Sequence, residues 1–305
     1  MTIRMGILGS STGPYVQDLV RACHEAGVDV LQLGFPDLQT QIGLHTNALP
    51  DGCLQVSTPL QILNDLDAVI VRTMPLGSVE QIIFRMDCLH ALQAQCVQVV
   101  NSPRCLETSI DKWLTLQRLS EANLRVPPTI ACQNRDSALA AFEQLGRDVL
   151  LKPLFGGEGR GIMRIQDADL AWRAFSTLSQ LGHVLYLQQY IPNFGYDIRV
   201  LKIGNRLLSI RRTAQVGSFR TNVSLGGIAE PIILSDTQQE LAIRAAKCVD
   251  GEIVGVDILP GKDGRDYLLE VNAVPGWRGV AASLKCDVAR LIVDYIADRI
   301  TASSR

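Results

Sequence analysis

Apolar positions along this chain change from strand spacing to helix spacing and back, with glycine, proline and asparagine at the breaks. Residues 4–8 read as a strand, followed by the loop Gly9-Ser10-Ser11-Thr12-Gly13, a helix to about residue 27 and a strand over 28–33. A strand over 67–72 leads into a helix over 78–92, where Val79, Ile82, Ile83, Met86 and Leu89 share one face. A short strand at 97–100 ends at Asn101-Ser102-Pro103. Such alternation predicts a small parallel sheet covered by helices.

Past Pro103 the spacing predicts a helix over 108–122, a break at Pro127-Pro128, a strand over 129–132 and a helix over 135–145. A strand over 149–152, a glycine cluster, a strand over 162–165 and a helix over 167–181 follow. From residue 185 strands dominate, over 185–191, 198–203, 206–212, 255–259 and 267–271. The last element is a helix over 285–300, with Val288, Leu291, Ile292, Tyr295 and Ile296 on one face. The fold class is α/β, and no internal repeat or low-complexity tract interrupts it.

Length and composition narrow the function. At 305 residues the chain calls for two or three packed units rather than one core. A net charge of -2 shows no basic footprint for nucleic acid. No apolar run approaches the ~18 residues that span a bilayer, and the first residues show no signal-peptide pattern. A cytoplasmic protein without membrane or nucleic-acid partners is therefore expected. The eight cysteines contain no C-x-x-C pair and the four histidines no metal-ligand spacing, so neither zinc nor dithiol chemistry is written.

Three stretches can carry chemistry. In Leu269-Glu270-Val271-Asn272, alternation sends Glu270 and Asn272 to one face and Leu269 and Val271 to the other. Asp257 interrupts an otherwise apolar strand upstream. Buried carboxylates are costly unless paired or metal-bound, and an Asp, Glu and Asn set suits magnesium with ATP better than zinc. A hydrogen-bonded cluster at the strand end is the alternative. Second, Lys152 ends a strand and the glycines at 156, 157, 159 and 161 follow, letting backbone N–H groups approach phosphate. A dinucleotide fingerprint would open a helix there, whereas another strand comes next. A phosphate-covering hairpin and a plain hairpin turn both fit. Third, Asp197 and Arg199 share a strand face, Arg211 and Arg212 end the next strand, and Arg220 lies in a glycine-flanked loop. Arginines in this number imply a polyanionic ligand or a solvated charged face.

In this order the motifs resemble the ATP-grasp superfamily, and within it the RimK-like amino-acid ligases. The resemblance covers about residues 101–299. It runs through Asp111-Lys112, the Lys152 strand with its glycine lid, Gln189-Tyr190-Ile191, Gly195-x-Asp197-x-Arg199, Phe219-Arg220-x-Asn222, Gly255-Val256-Asp257 and Glu270-Val271-Asn272-x-x-Pro275-Gly276. It implies a pre-ATP-grasp α/β domain at 1–103, a central and lid subdomain at 104–190 and a C-terminal subdomain with the Mg·ATP site at 191–305. It further implies that Lys112, Lys152, Gly157 and Gly159 contact the phosphates of ATP. Gln189, Tyr190 and Ile191 would hold the adenine, and Asp197 and Thr221 would help fix the nucleotide. Arg220 and Asn222 would bracket the transferred phosphoryl group, with Lys152 and Arg220 catalytic. Asp257, Glu270 and Asn272 would hold two magnesium ions, for which manganese could substitute. The implied reaction turns a carboxylate into an acyl phosphate, which an amine such as that of glutamate then displaces.

The hinge departs from the family's usual glutamate at Gln189. The stretch 72–78 resembles relatives that glutamylate pterin-like one-carbon cofactors, so the expected partners are a small-molecule carboxylate and glutamate. A protein or carrier-protein tail is the alternative acceptor, and a nucleotide-binding regulatory protein without turnover the alternative class. A Rossmann oxidoreductase using Gly6, Gly9 and Gly13 has the wrong glycine spacing. Arg72, at a parallel-strand end, and Trp277, five residues beyond Asn272, are expected on the acceptor side, with Arg199, Arg211 and Arg212 as further substrate contacts. A homo-oligomer, dimer or tetramer, is expected.

Overall fold

Gly13 and Pro14 open the first helix, where the missing proline N–H costs nothing, and Gly27 closes it at φ 71°, a left-handed value that favours glycine. Around it the N-terminal third builds β1 (Arg4–Leu8), α1 (Pro14–Ala26), β2 (Asp29–Leu33), β3 (Gln39–Gln41), β4 (Gln55–Thr58), β5 (Gln61–Ile62), β6 (Ala68–Val71), α2 (Val79–Ala94) and β7 (Gln98–Val100). The computed structural model describes residues 2–43, 54–59, 61–156, 159–215, 217–218, 221 and 226–303. The expected parallel sheet is present in the order β2-β1-β6-β7. β3, β4 and β5 form a separate antiparallel sheet that the apolar pattern does not announce.

The single helix expected over 108–122 is two: α3 (Pro103–Ile110) and α4 (Lys112–Glu121). Asp111 causes the break, because its carboxylate accepts from the N–H groups of Trp113 and Leu114 and so caps α4. Lys112 thereby becomes the first residue of a helix. Next come β8 (Thr129–Cys132), α5 (Arg135–Gln144), β9 (Val149–Lys152), β10 (Met163–Ile165), α6 (Ala168–Gln180) and β11 (Leu185–Gln189). The four strands pair antiparallel in the order β10-β9-β11-β8. One face, with Val149, Leu151, Leu185 and Leu187, packs on Phe142 of α5 and Phe175 of α6. The other face carries Lys152, Tyr186 and Gln188.

The last third contains β12 (Tyr196–Ile203), β13 (Arg206–Thr213), β14 (Ile228–Pro231), α7 (Asp236–Cys248), β15 (Ile253–Pro260), β16 (Asp266–Asn272), α8 (Arg278–Leu284) and α9 (Val288–Ser303). Its antiparallel sheet runs β14-β13-β12-β15-β16. Val200, Val254 and Val256 pack with Ala242, Ala245 and Ala246 of α7 on one face. Leu201, Ile203 and Ile253 pack with α1 and α9 on the other. The sequence reading assigned no element to 236–248. The capping box of Ser235 and Gln238 marks the helix start, but small alanines make its buried stripe inconspicuous.

Candidate active site

Strand register places Lys152 opposite Tyr186, and Gln188 between Leu150 and Thr129, so all these side chains share the free face of the β8–β11 sheet. Lys152 Nζ donates to Gln188 Oε1 at 2.6 Å. Burial pushes the Lys152 ammonium down to about 8, although the nearby charges of Glu270 and Asp257 favour its charged form. Lys112 Nζ donates to the Gly156 carbonyl of the glycine loop. Burial lowers its pKa too, against the pull of Glu270 and Asp111. Within the loop Gly159 and Gly161 stand at φ 72° and 74°, where a side chain would be strained. Gly157 lies outside the described residues.

Facing the lysines is a polar patch on the β12–β16 sheet. Asp197 pairs across strands with Arg212, and Arg199 with Asp257, which in turn opposes Glu270. One face therefore carries all five. Arg212 grips Asp197 through two hydrogen bonds of 2.7 Å and reaches Asp257 Oδ2 at 2.9 Å. Thr221 Oγ1 donates to Asp197 at 2.6 Å. Arg199 Nη2 donates to Asp257 Oδ2 at 3.0 Å. Arg199 Nε lies 2.5 Å from Asp257 Oδ1 as an ion pair, and both atoms are buried without a hydrogen bond. A Cβ on Gly255 would sit 2.3 Å from Arg199 Nη1, so the guanidinium occupies the space glycine leaves.

The two central carboxyls differ. Burial alone would raise Asp257, but the charges of Arg199 and Arg212 outweigh it and hold the group below the ordinary carboxylate value. Glu270 is raised, first by burial and then by the charge of Asp257. The pair can relax by sharing a proton or by taking a cation. Among the described residues no three His, Cys, Asp or Glu side chains gather as a metal cage. Two carboxylates and one amide are what magnesium takes when water and phosphate complete its shell. Asp257 Oδ1 makes no hydrogen bond and can offer one oxygen where an ion takes the place of the Arg199 guanidinium beside it. Asn272 Oδ1 accepts from Val274 N at 2.8 Å, which leaves it a second lone pair. The donor set fits the ion.

The hinge backbone is partly committed. Gln189 N donates to Pro128 O and Tyr190 N to Asp148 O, at 2.8 and 2.9 Å. Gln189 pairs with Val149, which turns its side chain to the helix side of the sheet, where Nε2 donates to Leu145 O at 3.3 Å. A glutamate could not make that bond. The Arg164 guanidinium lies 3.5 Å from the Tyr190 ring centroid and pairs with Asp148 at 2.7 Å. Ile191 is buried, and its carbonyl accepts from Asn193.

Not every arginine is gathered. Arg211 pairs across strands with Ile198, on the α7 face, and makes an exposed ion pair with Glu230. Arg72 and Trp277 are 5% and 1% exposed, so both stand in the interior. The Arg72 guanidinium stacks 4.5 Å from the Trp277 ring and donates to Pro275 O at 2.9 Å. Trp277 Nε1 donates to Asp18, and its ring meets Tyr15 edge-on at 4.7 Å. Arg220 and Asn222 lie outside the described residues. Gln188, Thr129 and Tyr186 were missed by the sequence reading. They stand in a strand and beside a proline pair without any motif of their own.

Residues 109–296 match the family described as the RimK-like ATP-grasp domain. A relative from Methanosarcina acetivorans, named tetrahydromethanopterin:alpha-L-glutamate ligase, is 33% identical over 264 residues, covering 77% of this chain and 81% of its own. The chain belongs to the RimK-like ATP-grasp family. This RimK-like protein is also 34% identical over 244 residues to a probable alpha-L-glutamate ligase of Mannheimia succiniciproducens, covering 78% of this chain and 79% of that one. Among solved structures, the ATP-grasp ligase PsnB complexed with a minimal precursor has a TM-score of 0.77 at 20% identity, over 98% of this chain and 99% of that one. A RimK domain protein from Sphaerobacter thermophilus has a TM-score of 0.72 at 20% identity, over 96% and 98%. These two likenesses are of fold. ATP-grasp ligases use ATP and magnesium, and another PsnB structure holds Mg and ADP. The RimK-like chain is an ATP-dependent ligase. No helix of the described residues is long and apolar enough to cross a membrane.

Proposed function

We propose that this ligase joins the amino group of L-glutamate to a carboxylate of a small, pterin-like acceptor through an acyl phosphate. The observation that carries the chemistry is the closeness of Lys152 and Lys112 to the Glu270 carboxyl, with Asp257 also near Lys152. The choice of glutamate and acceptor is supported by the relative whose name states both.

In this reading Lys112 and Lys152 grip the phosphates of ATP, and the glycine loop held to Lys112 covers them. Arg220 and Asn222, which lie outside the described residues, would bracket the γ-phosphoryl group. The acceptor carboxylate oxygen attacks that phosphorus, forming a C–O–P bond and releasing ADP. The glutamate nitrogen then attacks the carbonyl carbon, the carbon–oxygen bond to phosphate breaks, and the nitrogen loses a proton as the amide forms. Positioning and charge neutralisation suffice for phosphoryl transfer, which agrees with the absence of histidine and cysteine nucleophiles among the residues gathered here. Asp257, Glu270 and Asn272 would hold magnesium, two ions in this reading with manganese able to substitute, supplying positive charge where the phosphoryl oxygens gain negative charge.

ADP release measured against carboxylate acceptors crossed with amino acids tests the proposal. Release that requires both L-glutamate and a small ring-bearing carboxylate is expected, with hydroxylamine trapping the activated acceptor. Release only with a peptide or protein tail would overturn the acceptor assignment, and none with any pair would overturn turnover.

A further inference from the structure

Gln188 and Gln189 are adjacent and chemically identical, yet the sheet turns them to opposite sides. Gln189 faces α5, whereas Gln188, 1% exposed, faces the lysine cleft. A buried side-chain amide can present either its oxygen or its nitrogen to a neighbour, and here the hydrogen bonds around it favour one orientation. Thr129 Oγ1 donates its only proton to Pro127 O at 2.9 Å. Its oxygen can then only accept, and Gln188 Nε2 donates to it at 3.0 Å. Tyr186 OH lies 3.5 Å from the same nitrogen and also hydrogen-bonds the Thr129 hydroxyl. With the NH₂ end so held, Oε1 is directed at Lys152 Nζ, 2.6 Å away.

We propose that Gln188 is a positioning residue for Lys152, held in a single amide orientation by Thr129. The assignment rests on the reading of Lys152 as a phosphate contact of ATP. An ammonium has three N–H donors, and the described residues show one of them bonded, to Gln188. The other donors stay available to phosphate oxygens. The choice of an amide matters, because a neutral acceptor orients the ammonium without cancelling its charge, whereas a carboxylate there would compete with phosphate for it. Reversal of the amide would set an NH₂ group against an ammonium. Thr129 thus reinforces, from the far end of the amide, the orientation that the ammonium needs.

The test measures binding of Mg·ATP and of adenosine to the full chain by calorimetry, with melting temperature recorded for each variant. Thr129→Val keeps the side-chain shape but removes the hydroxyl, and Gln188→Met keeps the length but removes the acceptor. Each is expected to weaken Mg·ATP about tenfold, the scale of one hydrogen bond to a charged group, while adenosine binding stays within about twofold. Thr129→Ser, which restores the hydroxyl, is expected to return Mg·ATP binding to within about twofold of wild type. Lys152→Ala is the reference and should weaken Mg·ATP at least as much. If it does while Thr129→Val and Gln188→Met leave Mg·ATP unchanged, the positioning role is overturned and the lysine's role stands. Equal weakening of ATP and adenosine would also overturn it, since a merely distorted β11 would disturb both. Unchanged Mg·ATP binding in Lys152→Ala would overturn both assignments.

Discussion

Mg·ATP added to the unliganded ligase at pH 8 should draw about half a proton per chain from solution. Burial holds Lys152 at about 8 against an ordinary 10.5, so about half the chains carry a neutral lysine at that pH. Phosphate oxygens beside Nζ favour the charged form, and the lysine reprotonates as the nucleotide seats. The uptake shrinks to about a tenth of a proton at pH 7 and approaches one at pH 9. Stability responds through the same group. Below pH 8 the folded chain keeps a buried ammonium that the unfolded chain solvates freely. Ligand-free stability therefore rises between about 8 and 10.5, where the folded state has shed a proton the unfolded state still holds. The whole gap corresponds to about 3 kcal/mol. Calorimetry of Mg·ATP binding in two buffers of different ionisation enthalpy reads the uptake directly. Lys112, also lowered by burial, adds its own part, so the difference between wild type and Lys152→Met isolates Lys152. Equal uptake in the two proteins at pH 8 would refute the placement of this ammonium beside phosphate.

Glu270→Gln should abolish ADP release while leaving ligand-free melting unchanged or slightly higher, since it removes a carboxyl that burial and Asp257 already disfavour; Mg·ATP should then stabilise the variant less than wild type, and full turnover would sink the metal assignment. Arg212→Met strands Asp197 and Asp257 without their shared guanidinium, so urea denaturation should show a loss of about 3–5 kcal/mol; a loss below about 1 kcal/mol would mean the pair is solvated. Trp277→Ala removes a ring packed on Tyr15 and Arg72 and should cost about 3–5 kcal/mol with KM for ATP unchanged. Unchanged stability with a raised KM for the acceptor would instead return this residue to the substrate site.

Much of this protein follows from local rules that act within a few residues. Period-two alternation puts Glu270 with Asn272 and Asp197 with Arg199 before any partner strand is known, because successive strand side chains must point oppositely. Pro14, Gly27 and Ser78 mark helix ends because caps satisfy or spare backbone groups of the same turn. Lys152 followed by its glycines is likewise legible as a strand-end lysine before a hairpin loop. Register is different, since it depends on which strands meet. Arg211 and Arg212 are neighbours of one kind, and only the pairing of Arg212 with Asp197 decides which faces the cleft. Arg72 and Trp277 come from elements far apart in the chain, and their mutual stacking is a consequence of docking that no local pattern carries. The same holds for Gln188. Its type is written in the sequence, but its direction is set by a threonine 59 residues earlier, whose own proton is already committed to a carbonyl.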